Sequence, residues 1–146
     1  MMKEFMQSIP HKPAEGQQGD CFRAALASLL EIDPSDVPHF FEIDMDADDS
    51  WENVKEWLKS RGYSWFSAAF NCDLDDVMAF MQQINPGIYY LLAGNSGRGT
   101  HQVIACGDVL VHDPSPYNTG LIGPCDDGMY WINLVLPAAI HDRLGM

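Results

Sequence analysis

The spacing of apolar residues divides the chain into a mainly helical first half and a strand-rich second half. In CFRAALASLLEI, residues Phe22, Ala25, Leu26, Leu29 and Leu30 fall on one helical face. Asp20 is the expected N-cap, and the helix must end before Pro34. In WENVKEWLKSR, Trp51, Val54, Trp57 and Leu58 form a second stripe, expected to be core, with Ser50 or Asp49 as cap and Gly62 as stop. YSWFSAAF reads as a strand. LDDVMAFMQQI reads as a third helix, capped by Asp73 and ended by Asn85-Pro86-Gly87. Between the first two helices, DPSDVPHFFEIDMDADD has turn chemistry, with Pro34 and Pro38 framing one short helical turn.

From Ile88 onward the pattern changes to strands. IYYLLAG, HQVIAC, VLVHD and MYWINLVL are separated by NSGRGT, by a turn at Gly107-Asp108 and by the turn-rich PSPYNTGLIGPCDDG. Such short connections predict an antiparallel sheet. Helices followed by sheet make an α+β domain, and 146 residues match one domain over the whole chain, 1–146.

Eight Lys and Arg against 21 Asp and Glu leave a formal charge of -13, which sets a repulsive field against a phosphate backbone and excludes nucleic acid as the expected partner. The acidic runs at 42–56 and 73–76 read as solvated surface. MMKEFMQSIPHKPAEGQQGD lacks the apolar core of a signal peptide, and no later stretch approaches the roughly eighteen apolar residues of a membrane span. The expectation is a soluble, cytoplasmic protein with no membrane partner.

The four cysteines, Cys21, Cys72, Cys106 and Cys125, are widely spaced and contain no CxxC pair, so neither a zinc knuckle nor a disulfide framework is suggested. Cys21 differs from the others in its address. It stands at the start of the first helix, where unpaired N–H groups and the helix dipole favour a thiolate and where its own N–H can serve an oxyanion hole. Gly19 before it leaves room for a substrate backbone. Taken alone, a free cysteine is more often a small packing residue, and Cys72, Cys106 and Cys125 are assigned to packing.

A thiolate nucleophile needs a base and a group to orient that base. His11 and His141 lie in terminal loops and His39 in the Pro-rich connection. His101 opens a strand, and His112 stands beside Asp113 in the next one. A two-residue turn at 107 and 108 pairs 101 with 114 and sends Asp113 to the opposite face. A three-residue loop at 106–108 pairs 101 with 113 and couples the two directly. Gly107 favours the longer, bulged loop by supplying a left-handed conformation, whereas the shorter loop would leave the base without a carboxylate unless the strand bulges elsewhere.

GDCFRAALASLL, DPSDVPHF and GNSGRGTHQVIACGDVLVHDPSPYNTGL together resemble the small stand-alone papain-like cysteine peptidases of bacteria and phages. More distantly, the order of Cys, His and Asp-Pro resembles the leader-processing peptidase domains of bacteriocin exporters. The resemblance implies a papain-like fold, a nucleophile helix packed on an antiparallel sheet, with Cys21 as nucleophile, His101 as base and Asp113 as its orienting residue. It also implies a glutamine completing the oxyanion hole: Gln7 matches best, with Gln17 and Gln18 as alternatives. The expected activity is hydrolysis of an amide, peptide or isopeptide bond in a peptide or protein substrate, through a thioester and without metal or organic cofactor. A catalytically weak binding or inhibitory module on the same fold, and an acyltransferase using the same three residues, stand as alternatives. Substrate identity and oligomeric state are open at this stage.

Overall fold

A computed structural model describes residues 3–15, 17, 19–42 and 45–138. Three helices, α1 (Cys21–Leu30), α2 (Ala47–Ser60) and α3 (Leu74–Ile84), accompany five strands: β1 (Tyr63–Phe70), β2 (Tyr89–Asn95), β3 (Thr100–Cys106), β4 (Val109–His112) and β5 (Tyr130–Pro137). The strands form one sheet in the order β1-β5-β2-β3-β4, and every pairing is antiparallel. The α+β class and the N-terminal helix packed on an antiparallel sheet are therefore both present.

Alternation along the central strands sends neighbouring residues to opposite faces. Leu91 and Ile104 pack with Phe22 and Leu26 of α1 and with Val54 and Leu58 of α2. Leu92, Val103, Tyr130 and Ile132 pack with Val77 and Met81 of α3. The sheet is thus covered on both faces, and α1 rests on the strand that carries His101. Trp51 and Trp57 are half-buried rather than enclosed, because the shell of Phe40 and Phe41 covers only part of each ring.

All three helix starts differ from expectation, and Asp73 precedes α3 without a side-chain bond to the helix end. Helix α2 begins at Ala47, ahead of Ser50 and Asp49, because the Asp46 carboxylate accepts from the N–H groups of Asp48 and Asp49. Asp20 precedes α1 but does not cap it. Its backbone lies outside the extended region that caps require, and its side chain is engaged elsewhere.

The β3–β4 hairpin closes through the two-residue turn Gly107-Asp108, with Cys106 opposite Val109 and Ala105 opposite Leu110. The expected three-residue loop does not form. Gly107 has φ +58 and Asp108 does not share that region, as in a type II′ turn, whose twist suits the flanking strands. The Tyr90 hydroxyl donates to the Gly107 carbonyl at 2.6 Å and fixes the turn from β2. Beyond Ala105 the register slips by one residue at a bulge, so that Ile104 faces His112. The slip returns Asp113 to the face occupied by His101, which regular continuation of the two-residue turn would have denied it.

Candidate active site

The site begins with the buried Asp20, only 2% exposed. Its carboxylate accepts from the Ser8 N–H at 3.0 Å, the Ser8 hydroxyl at 2.9 Å and the Ile9 N–H at 2.8 Å. It also pairs with the Arg23 guanidinium at 2.9 Å. Burial alone would raise the Asp20 pKa, but these donors outweigh it and hold the carboxyl below its ordinary value. A local capping role is displaced by this set of tertiary donors. The N-terminal segment is drawn along the start of α1, and no side chain caps the helix end at Cys21.

That segment brings Gln7 and His11 to a small cleft of about 130 Å³, shared with Cys21 and His101. The Gln7 N–H donates to the Pro114 carbonyl at 2.8 Å, which fixes its position beside the Asp113 loop. Its side-chain amide donates to the Ile9 carbonyl at 3.1 Å and keeps a second N–H. Gln17 is directed away, donating to the Pro10 carbonyl at 2.7 Å. Gln18 and His141 lie outside the described residues. Gly19 lines the cleft too, while the direction a side chain would take is filled: a Cβ there would stand 2.8 Å from the His11 Cβ. Its N–H donates to His11 Nδ1 at 3.1 Å.

His101, on β3, is 5% exposed. Its Nε2 lies 2.6 Å from Asp113 Oδ1. The Ser115 N–H donates to the same oxygen at 2.9 Å, and the Gly120 N–H to Oδ2 at 2.8 Å. Cys21 lines the same cleft. With Nε2 committed to Asp113, Nδ1 is the ring nitrogen left to serve the thiol. Burial would lower the ring pKa, but the hydrogen bond to Asp113 and the influence of the Cys21 side chain outweigh it, raising the pKa to about 9. Burial likewise opposes ionisation of Asp113, yet His101 and the two backbone donors keep its carboxyl below its ordinary value.

His112 is not in this cluster. Its Nε2 lies 2.7 Å from the Phe5 carbonyl, so it anchors the N-terminal segment. Cys72, expected in packing, is exposed, since it follows β1 at the rim of the fold. Cys106 is half-buried, with its thiol donating to the Pro86 carbonyl at 3.2 Å. Cys125 is half-buried too, and burial with the charges of Asp127 and Asp126 pushes its thiol up to about 11. The loop before His101 lines the cleft through Ser96, Arg98 and Thr100. It is tied down: Arg98 donates to the Thr119 hydroxyl at 2.9 Å and lies 4.3 Å from the Tyr117 ring centre.

His11 is the cleft residue that sequence reading missed, having been assigned to a terminal loop. The only signal for it was indirect, the Asp20 carboxylate able to gather the preceding segment. Among the described residues no three His, Cys, Asp or Glu side chains converge to hold a metal ion, and no helix is long and apolar enough to cross a membrane. No protein-family model, curated protein or solved structure matches the chain.

Proposed function

We propose that the chain is a papain-like cysteine hydrolase acting on an amide, peptide or isopeptide bond. One observation carries the reading: in the cleft of a helix-start thiol stands a buried imidazole paired with a buried carboxylate, with 2.6 Å between His101 Nε2 and Asp113 Oδ1. A merely structural cysteine has no use for such a base, whereas a nucleophile does.

With a pKa of about 9 the His101 ring is protonated at neutral pH, so a proton stands on Nδ1 beside Cys21 while Nε2–H donates to Asp113. The Cys21 thiolate attacks the carbonyl carbon, and the carbonyl electron pair moves onto oxygen. The uncapped N–H at Cys21 and the remaining Gln7 amide N–H are assigned to that oxyanion. On collapse the C–N bond breaks, and Nδ1–H of His101 protonates the departing amine. The acyl group is left as a Cys21 thioester. Water then attacks it, His101 takes the water proton, and the acid leaves as the thiolate is restored. Asp113 keeps the ring turned so that Nδ1 faces the sulfur throughout.

The experiment is cleavage of a mixed peptide library followed by mass spectrometry, with wild type, Cys21→Ala and His101→Ala run in parallel. Discrete cleavage by the wild type alone supports the reading. Equal cleavage by folded Cys21→Ala removes it. Amine added during turnover separates hydrolysis from acyl transfer by the product formed.

A further inference from the structure

At about 130 Å³ the cleft around Cys21 admits little more than the bond to be cut, so recognition of a larger substrate must come from adjoining surface. A groove of about 690 Å³ opens next to it on the α2 side of the sheet, and Thr100 lines both. That volume lies within the roughly 300–1,000 Å³ common for ligand clefts.

The groove has three kinds of surface. Its walls are the half-buried rings of Trp51, Trp65 and Trp131, with Trp51 and Trp65 stacked at 5.6 Å and Trp131 held by Asp127, which accepts from its Nε1–H at 2.8 Å. On its floor the Ser67 hydroxyl donates to Asn133 at 2.6 Å, and the Asn133 amide donates to Gln102 Oε1 at 3.4 Å. Gln102 is 5% exposed, and its own amino group has no partner among the described residues. The amino group is not itself enclosed, so an amide donor is left open on the floor of the groove. The rim carries Asp48, Glu52 and Asp127 against a single cation, Lys55, which is already paired with Glu52 at 3.1 Å. Among the described residues no Lys or Arg pairs with Asp48 or Asp127.

We propose that this groove is the specificity subsite of the enzyme and seats a basic side chain, Arg or Lys, of a peptide substrate. The assignment rests on the reading of Cys21 as nucleophile, since the groove adjoins that residue's cleft. Indole faces attract a guanidinium or ammonium, and the two unbalanced carboxylates complement its charge. The Gln102 amino group supplies a donor for a peptide carbonyl lying along the floor. A neutral sugar would also stack on indole and bond to amides, but it would leave the rim carboxylates without a counter-charge.

The test uses full-length Cys21→Ala, which binds without turning over. The probes are acetyl-Ala-Arg-Ala-amide, its citrulline and Glu analogues, and the neutral sugar chitotriose, followed by NMR of the Trp131 indole N–H and the Gln102 side-chain amide. The Arg peptide should shift both signals, the citrulline analogue should bind at least about fivefold more weakly, and the Glu analogue should not saturate. Asp48→Asn, which leaves the Asp127–Trp131 bond in place, should weaken Arg binding about fivefold and leave citrulline binding unchanged. Equal binding of Arg and citrulline peptides overturns the proposal, as does chitotriose shifting these signals where the Arg peptide does not. Arg binding in Cys21→Ala alongside a wild type inert to every amide would remove the hydrolase reading and leave the groove. A reactive, cleaving wild type with no Arg preference would do the reverse.

Discussion

Replacing Asp113 by Asn removes the charge of the carboxylate paired with a buried ring and changes almost no volume. The amide oxygen can stay on the His101 and Ser115 side, which turns the amide NH2 toward the Gly120 N–H and forfeits that bond. In the wild type the ring pKa stands at about 9 against an ordinary 6.5. The difference corresponds to about 3 kcal/mol favouring the protonated folded state, at 1.36 kcal/mol per unit. Asp113 supplies the leading contribution that opposes burial, so its loss should lower the midpoint by about 1–3 units. A ¹³C-labelled histidine titration by NMR, with His101 assigned from His101→Gln, measures this directly. Stability follows with a definite sign. The His101 contribution is fully present below pH 6.5 and is lost as pH rises through about 9. The Asp113 contribution, from a carboxyl held below 3.8, is present above that value and is lost as pH falls through the folded value. Wild type should therefore exceed Asp113→Asn in stability most between pH 3.8 and 6.5, and the gap should narrow toward pH 9. An unchanged His101 midpoint in Asp113→Asn would refute the electrostatic account of the site.

Iodoacetamide should modify Cys21 before the exposed Cys72, and His101→Ala should abolish that precedence; peptide mapping by mass spectrometry reads both, and equal rates in the wild type would count against Cys21 as the nucleophile. Asp20→Asn should cost about 2–4 kcal/mol in urea denaturation, because Arg23 and the Ser8 and Ile9 donors lose their charged partner, and turnover should drop more than stability as Gln7 and His11 shift. Gly19→Ala should leave the sheet intact by circular dichroism but impair activity, since its Cβ would meet His11 at 2.8 Å; full activity would contradict the packing described. Cys21→Ala and His101→Ala should each abolish turnover, and the double variant should be no worse than either in the same kinetic assay.

Local pattern made much of this fold legible. Strand β1 and helix α3 run over the residues their apolar spacing predicts, Tyr63–Phe70 and Leu74–Ile84, because each is bounded by its own turn residues. The start of α2 was not legible, since DMDADDS offers several carboxylates and only backbone geometry selects Asp46. The hairpin was half legible. Gly107 marks the turn, but the bulge beside Ala105 goes with contacts outside the hairpin: Phe5, distant in sequence, holding His112, and Ser115 and Gly120 of the following loop holding Asp113. Asp20 likewise obeys the capping rule in sequence and departs from it in three dimensions, where a buried carboxylate meets several donors at once. His11 enters the cleft for the same tertiary reason.

The central claim is that Cys21 carries an acyl group during turnover. Wild type mixed with an activated peptide ester, quenched in acid within milliseconds and mapped by mass spectrometry, should show one acyl mass on the Cys21 peptide. That mass should decay as free acid appears and should not form in His101→Ala. Acylation spread equally over Cys21 and Cys72, or ester turnover persisting in folded Cys21→Ala, would contradict the account.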